Sequence, residues 1–140
     1  MHKAALLVFI AAFAFAPQGA AARGGGIKVL NSIPDLYSGQ WAPGVEPCKN
    51  DEDSEVIVLS AKAYAGPLGK CGVASVSEMP SPKGSTYSAR LQCADSGQAR
   101  QKTTANLIIR PVDANQISVG STFESLRAYQ RCSKKTPPSK

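Results

Sequence analysis

Past residue 55 the chain alternates apolar and polar positions in short runs, each closed by glycine or proline. The stretch EVIVLSAKAY puts Ile57, Leu59, Ala61 and Ala63 on one face of an extended strand and Ser60, Lys62 and Tyr64 on the other. Gly66-Pro67 and Gly69 punctuate a turn, and KCGVASVSEM is the next predicted strand. After the turn PSPKGS comes the cleanest alternation, STYSARLQC. There Tyr87, Ala89, Leu91 and Cys93 face one way and Thr86, Ser88, Arg90 and Gln92 the other. ADSGQARQ turns the chain into TANLIIRPV, with Ala105, Leu107 and Ile109 inward. Asp113-Ala114-Asn115 is a tight turn, and QISVGS follows with Ile117 and Val119 inward. In the last predicted strand, SLRAYQRC, Leu126, Ala128 and Cys132 share a face, and Arg127, Tyr129 and Arg131 share the opposite one.

Upstream, LYSGQW is predicted to start the sheet at residues 37–41, and residues 27–33 to form a short strand or ordered arm ended by Pro34-Asp35. No segment sustains a helical period beyond a short turn at residues 122–125. Seven or eight short strands with turn signals between them predict an all-β fold. Short connections favour an antiparallel meander, and closure into a small barrel removes its two exposed edges. No internal repeat is present.

Composition adds a compartment. MHKAALLVFIAAFAFAPQGAAARGGG has a basic start at Lys3, thirteen apolar residues at 4–16, and small residues at 20–22. This is the pattern of a cleaved secretory signal peptide, and it falls short of the ~20 residues that span a bilayer. Cleavage after Ala22 is expected, leaving 118 residues, enough for one domain. No cysteine precedes Cys48 to accept a lipid, and no Asn-x-Ser/Thr sequon occurs. The alanine-rich leader points to a bacterial periplasmic or secreted protein without a stable membrane span. The expected organisation is a signal peptide at 1–22, an N-terminal arm at 23–36, a β-barrel domain at 37–132 and a disordered basic tail at 133–140.

The four cysteines, Cys48, Cys71, Cys93 and Cys132, are spaced without any close pair, which disfavours a zinc knuckle. An even count in an exported chain predicts two disulfides. Of the three possible connectivities, strand positions favour 48–71 with 93–132. Without the leader, 15 Lys and Arg face 10 Asp and Glu, and three of the positives lie at Lys134, Lys135 and Lys140. The body is then close to neutral, unlike the concentrated basic face of a nucleic-acid binder.

Candidate chemistry is narrowed by an absence. The only histidine, His2, lies in the leader. That removes Ser-His-Asp triads, Cys-His pairs and histidine metal sites, and bridged cysteines remove thiolate catalysis. Paired carboxylates or a Ser-Lys pair remain. The acids cluster in NDEDSE, at Asp51, Glu52, Asp53 and Glu55, in a hydrophilic loop rather than the buried setting a catalytic acid needs. Their spacing fails as a calcium loop, because Val56 stands where glycine is required and Lys62 where the closing glutamate belongs. Gly24-Gly25-Gly26 reads as a linker. No cofactor is expected.

One constellation is more specific. Gly39-x-Trp41 holds the only tryptophan and opens the sheet, while the last strand supplies Arg127 and Arg131. This resembles the calycin superfamily of up-and-down barrels, the lipocalins, avidins and bacterial metalloprotease inhibitors. There a G-x-W motif in the first strand packs against a basic residue from the last. The resemblance implies that Trp41 plugs one barrel end beneath Arg127 or Arg131. The layout is also similar to small exported Gram-negative proteins with a tryptophan near the first cysteine and a Tyr-x-Arg-Cys ending.

Two non-catalytic readings follow, and the missing histidine argues against an enzyme. The first is a binding module that recognises or inhibits another envelope or extracellular protein, such as a protease or lysozyme. The loop at 42–54, with Asp51, Glu52 and Asp53, would be its contact surface. The alternative is a carrier of a small apolar ligand. Ala61, Ala63, Ala89, Ala105 and Ala128 are small inward residues that suit a hollow barrel, or equally a narrow filled one.

Overall fold

In a computed structural model, residues 25–50, 54–94 and 102–133 are described. The expected signal peptide and basic tail, and the acids Asp51, Glu52 and Asp53, lie outside the described residues.

Eight strands run β2 Gly39–Ala42, β3 Ile57–Leu59, β4 Ala63–Gly66, β5 Gly69–Ser81, β6 Gly84–Ala94, β7 Lys102–Asp113, β8 Gln116–Gly120 and β9 Arg127–Arg131. Each pairs antiparallel with its neighbour in sequence, and β2 pairs with β9, so the meander closes into an eight-stranded barrel. Closure leaves these strands no edge to expose. A ninth strand, β1 at Lys28–Leu30, pairs with β5. Long β5 serves both: β4 pairs with its first residues, 69–72, and β1 with residues 76–78 further along. The arm is therefore built into the barrel over its described part. Ile33 is fully buried in the core, and its N–H donates to the Ala61 carbonyl at 2.9 Å.

The interior holds one apolar cluster. Ile33, Trp41, Val76, Ala89, Leu91, Ile109 and Ile117 have no exposed surface, and Tyr37, Ile57, Leu59, Tyr64, Leu107 and Val119 pack with them. The inward faces expected for β6, β7 and β8 are those observed.

Two phases differ from expectation, and register explains both. EVIVLSAKAY is not one strand. It turns at residues 60–62, where the Ser60 N–H meets the Ala63 carbonyl at 2.9 Å, and Leu59 pairs with Tyr64. Opposed residues share a face, so Tyr64 goes inside with Leu59 and Ala63 is exposed. In β9, Ile117 pairs with Tyr129 and Trp41 with Arg131. Placing Ile117 and Trp41 inside turns Tyr129 and Arg131 inward and Ala128 out, while Arg127, at the start of the strand, is exposed. Two of the alanines taken as barrel lining, Ala63 and Ala128, are thus exposed on the outer surface; Ala89 is packed in the core.

The expected disulfide pairing is also corrected: the bridges are Cys48–Cys132 and Cys71–Cys93. Cys71 and Cys93 are register partners on β5 and β6, both buried and facing inward. Cys132 follows inward-facing Arg131 and so faces out. There it joins Ala42 and Val56 in a second small cluster, against Cys48 of helix α1 (Val45–Lys49).

Candidate functional site

The up-and-down path brings the start of β2, the turns β3–β4, β5–β6 and β7–β8, and the end of β9 to one end of the barrel. A strap of residues 34–38, with a 3-10 turn at Asp35–Tyr37, crosses that end. Two side chains hold it. Trp41, fully buried, donates its indole N–H to the Tyr37 carbonyl at 2.9 Å. Arg131 lies over the Trp41 ring, with Cζ 4.2 Å from its centroid. The guanidinium also donates from Nη1 to the Ser38 carbonyl at 2.9 Å and from Nη2 to the Leu36 carbonyl at 2.5 Å. A planar fork that stacks and donates at once is specific to arginine.

Gly39 is required by the same geometry. Its φ is +131°, a region that side chains rarely adopt, and a Cβ there would lie 3.3 Å from Arg131 Nη1. Of the two candidate arginines, the structure brings Arg131 to Trp41 and not Arg127. Arg127 is exposed, four residues back along β9, roughly 13 Å at strand rise.

The strap also carries the Tyr37 ring, which meets Tyr87 edge to face at 5.4 Å. Tyr87 donates to Glu78 Oε1 at 3.4 Å, and Ser85 donates to the same oxygen at 2.7 Å. Sequence reading missed Glu78. A bulge between Val73 and Ser75 shifts the phase of β5, so a charged residue falls opposite inward-facing Tyr87. Burial, then the neighbouring Tyr87 and the Glu78 charge, push Tyr37 up to about 12.

Burial also raises Tyr64, Tyr87 and Tyr129 above the ordinary tyrosine value of 10.0. The fold favours the protonated phenols. Below pH 10 both states are protonated and stability is complete; as pH rises from 10 toward 12 the unfolded chain ionises first and stability is lost. A near-ultraviolet pH titration should show the phenolates appearing late and cooperatively, together with a change in Trp41 fluorescence. Independent ionisation near pH 10 with native fluorescence retained would contradict the buried arrangement.

The other expected site is the loop at 42–54. Its described part, residues 42–50, leaves β2 and brings Cys48 against Ala42, Val56 and Cys132 on the outer wall. Helix α1 begins after Gly44, and Cys48 bonds to Cys132 with Cα atoms 5.3 Å apart. Val45 remains 61% exposed, and Lys49 pairs with Glu46 at 2.7 Å in solvent. That exposed pair contributes little to stability. The staple instead ties α1 to the outer wall with Val45 left in solvent.

The chemistry available is limited. All four thiols are oxidised, and among the described residues no group of three or more His, Cys, Asp and Glu is placed to hold a metal. Also among the described residues, no helix is long and apolar enough to cross a membrane. Two disulfides suit an oxidising compartment. No family model, curated protein or solved structure matches the chain.

Proposed function

We propose that this chain is an exported, non-catalytic binding module of the bacterial periplasm or extracellular space, and that it recognises or inhibits another protein through the loop at 42–54. The observation that carries the reading is the covalent fixing of α1 to the outer wall by Cys48–Cys132, with Val45 presented to solvent. A helix already held by the staple loses less entropy on binding. The oxidised thiols and the absence of histidine beyond His2 support a non-catalytic role. The calycin likeness, carried by Gly39, Trp41 and Arg131 at the strapped end, supports a plugged barrel as scaffold, and binding surfaces on such scaffolds commonly lie in loops. The carrier reading is less favoured, because Ala63 and Ala128, two of its proposed lining residues, lie on the outside.

The acidic residues of the loop add an electrostatic component that speeds association and weakens with salt over a Debye length of about 8–10 Å. Replacing Asp51, Glu52 and Asp53 together with Ala should slow association with envelope partners about ten-fold at low salt, by analogy with charge-steered pairs. Biosensor kinetics on envelope extract check this. Unchanged rates and partners for the triple variant would remove the loop from the interface, and an apolar ligand co-purifying with the wild type would favour the carrier.

A further inference from the structure

A second surface, distinct from the loop at 42–54, carries its own signature. Between the β5–β6 turn and the end of β7 lies an open recess of ≈ 440 Å³, lined by Ser81, Pro82, Lys83, Arg110, Pro111 and Val112. That volume falls within the range of ligand sites, about 300–1,000 Å³. Its walls are apolar and stiff: two prolines, and a Val112 that is 51% exposed. Its two charges are both positive. Among the described residues neither Lys83 nor Arg110 forms an ion pair. The acid closest in sequence, Asp113, accepts the Asn115 N–H at its Oδ1.

Arg110 is held in place. Its guanidinium lies 5.4 Å above the Phe123 ring, itself 49% exposed. Phe123 is presented by a knitted turn in the β8–β9 connection. The Thr122 N–H donates to Ser125 Oγ at 2.9 Å, and the Ser125 N–H donates to Thr122 Oγ1 at 3.2 Å. Gly120 lets this turn lie close: a Cβ there would sit 2.7 Å from the Ser125 carbonyl oxygen. A half-exposed aromatic that orients a guanidinium with no ion pair among the described residues, beside an apolar recess, has no evident use in holding the barrel together, and it reduces the ordering cost of binding an anion.

We infer that this recess binds an acidic segment of a partner protein, with an apolar side chain seated between Pro82, Pro111 and Val112 and a flanking carboxylate held by Lys83 and Arg110. Charge complementarity names the occupant: two cations without an acid partner among the described residues call for carboxylates, and a concave apolar floor calls for a side chain beside them. A membrane surface fits less well, since insertion needs a protruding apolar wedge and this site is hollow. The inference does not depend on the loop at 42–54, whose charge has the opposite sign.

The test is an amide-resolved NMR titration with a capped Glu-Leu-Glu peptide and its Gln-Leu-Gln counterpart. Saturable shifts are expected at the amides of Ser81, Lys83, Gly84, Arg110, Val112 and Phe123. The Gln peptide should bind at least ten-fold more weakly, as should the wild-type peptide to the Lys83→Ala/Arg110→Ala double variant. Arg110→Lys, which keeps the charge but loses the planar stack, should fall between. The substituted side chains, Lys83 and Arg110, are both exposed, and the spectra themselves report whether each variant is folded. Scattered or absent shifts, or equal binding of both peptides, would overturn the inference. So would binding to phosphatidylglycerol vesicles that the double variant loses while the peptide shows no shifts; that result assigns the surface to a membrane instead.

Discussion

Trp41→Ala is expected to lower the unfolding free energy by about 3–5 kcal/mol, the range for large aromatics removed from cores. The ring has no exposed surface, so its deletion leaves a cavity rather than a dent. Two further losses sit on top. The Tyr37 carbonyl loses its indole donor, and Arg131 loses the face it lies on. The strap at 34–38 then depends on the two Arg131 hydrogen bonds alone, with their donor no longer positioned. Against a typical domain stability of 5–15 kcal/mol, this brings the protein close to its threshold. Chemical denaturation followed by far-ultraviolet circular dichroism measures it. Arg131→Lys keeps the charge, loses the planar stack, and should cost less than Arg131→Ala. A loss below about 1 kcal/mol for Trp41→Ala would mean the ring is not the plug described.

Cys48→Ser/Cys132→Ser should be nearly as damaging. The bridge spans 84 residues, and in the chain-entropy model removing it costs about 4.5 kcal/mol. The Cys71–Cys93 bridge spans 22 residues and by the same model contributes about 3.4 kcal/mol. The ranking is the informative part, because it follows from loop length. Loss of the longer bridge also frees α1 from Ala42, Val56 and the end of β9. Denaturation midpoints of the two double variants test the order, and non-reducing peptide mapping should join the Cys48 peptide to the Cys132 peptide. A Cys48–Cys71 product would refute the topology at that wall.

The all-β fold, the antiparallel meander and its closure were legible in the sequence, because period-two alternation in residues 86–93 and 105–119 has no competing helical reading. Tyr87, Leu91, Ile109 and Ile117 were placed inside on that basis and are inside. What was not legible depends on long-range pairing. Residues 57–64 alternate without a break, so nothing local marks the turn at 60–62; it appears only when Leu59 is set opposite Tyr64. The last strand offers Leu126 and Ala128 on one face and Tyr129 on the other, a near tie in hydrophobicity. Pairing with Ile117 and Trp41 decides it. The disulfide error follows directly. Cys132 was assigned to the inward face, and once that face is inverted its partner lies outside, on α1. Glu78 was hidden by the bulge in β5. The plug of Trp41 beneath Arg127 or Arg131 was an expectation implied by the resemblance of Gly39-x-Trp41 to the calycin motif, and the choice between the two arginines needed the register of β9 against β2.

In the proposed function the barrel is the support and the stapled loop its working surface. Site-specific photo-crosslinking in the intact cell envelope tests that most directly. A crosslinking residue at Val45, exposed on α1, should give a discrete protein adduct that is lost when Asp51, Glu52 and Asp53 are replaced with Ala; the same residue at Gln92, exposed on the outer face of β6, should give none. Adducts of equal yield from both positions, or none from Val45, would contradict the loop as the site of recognition.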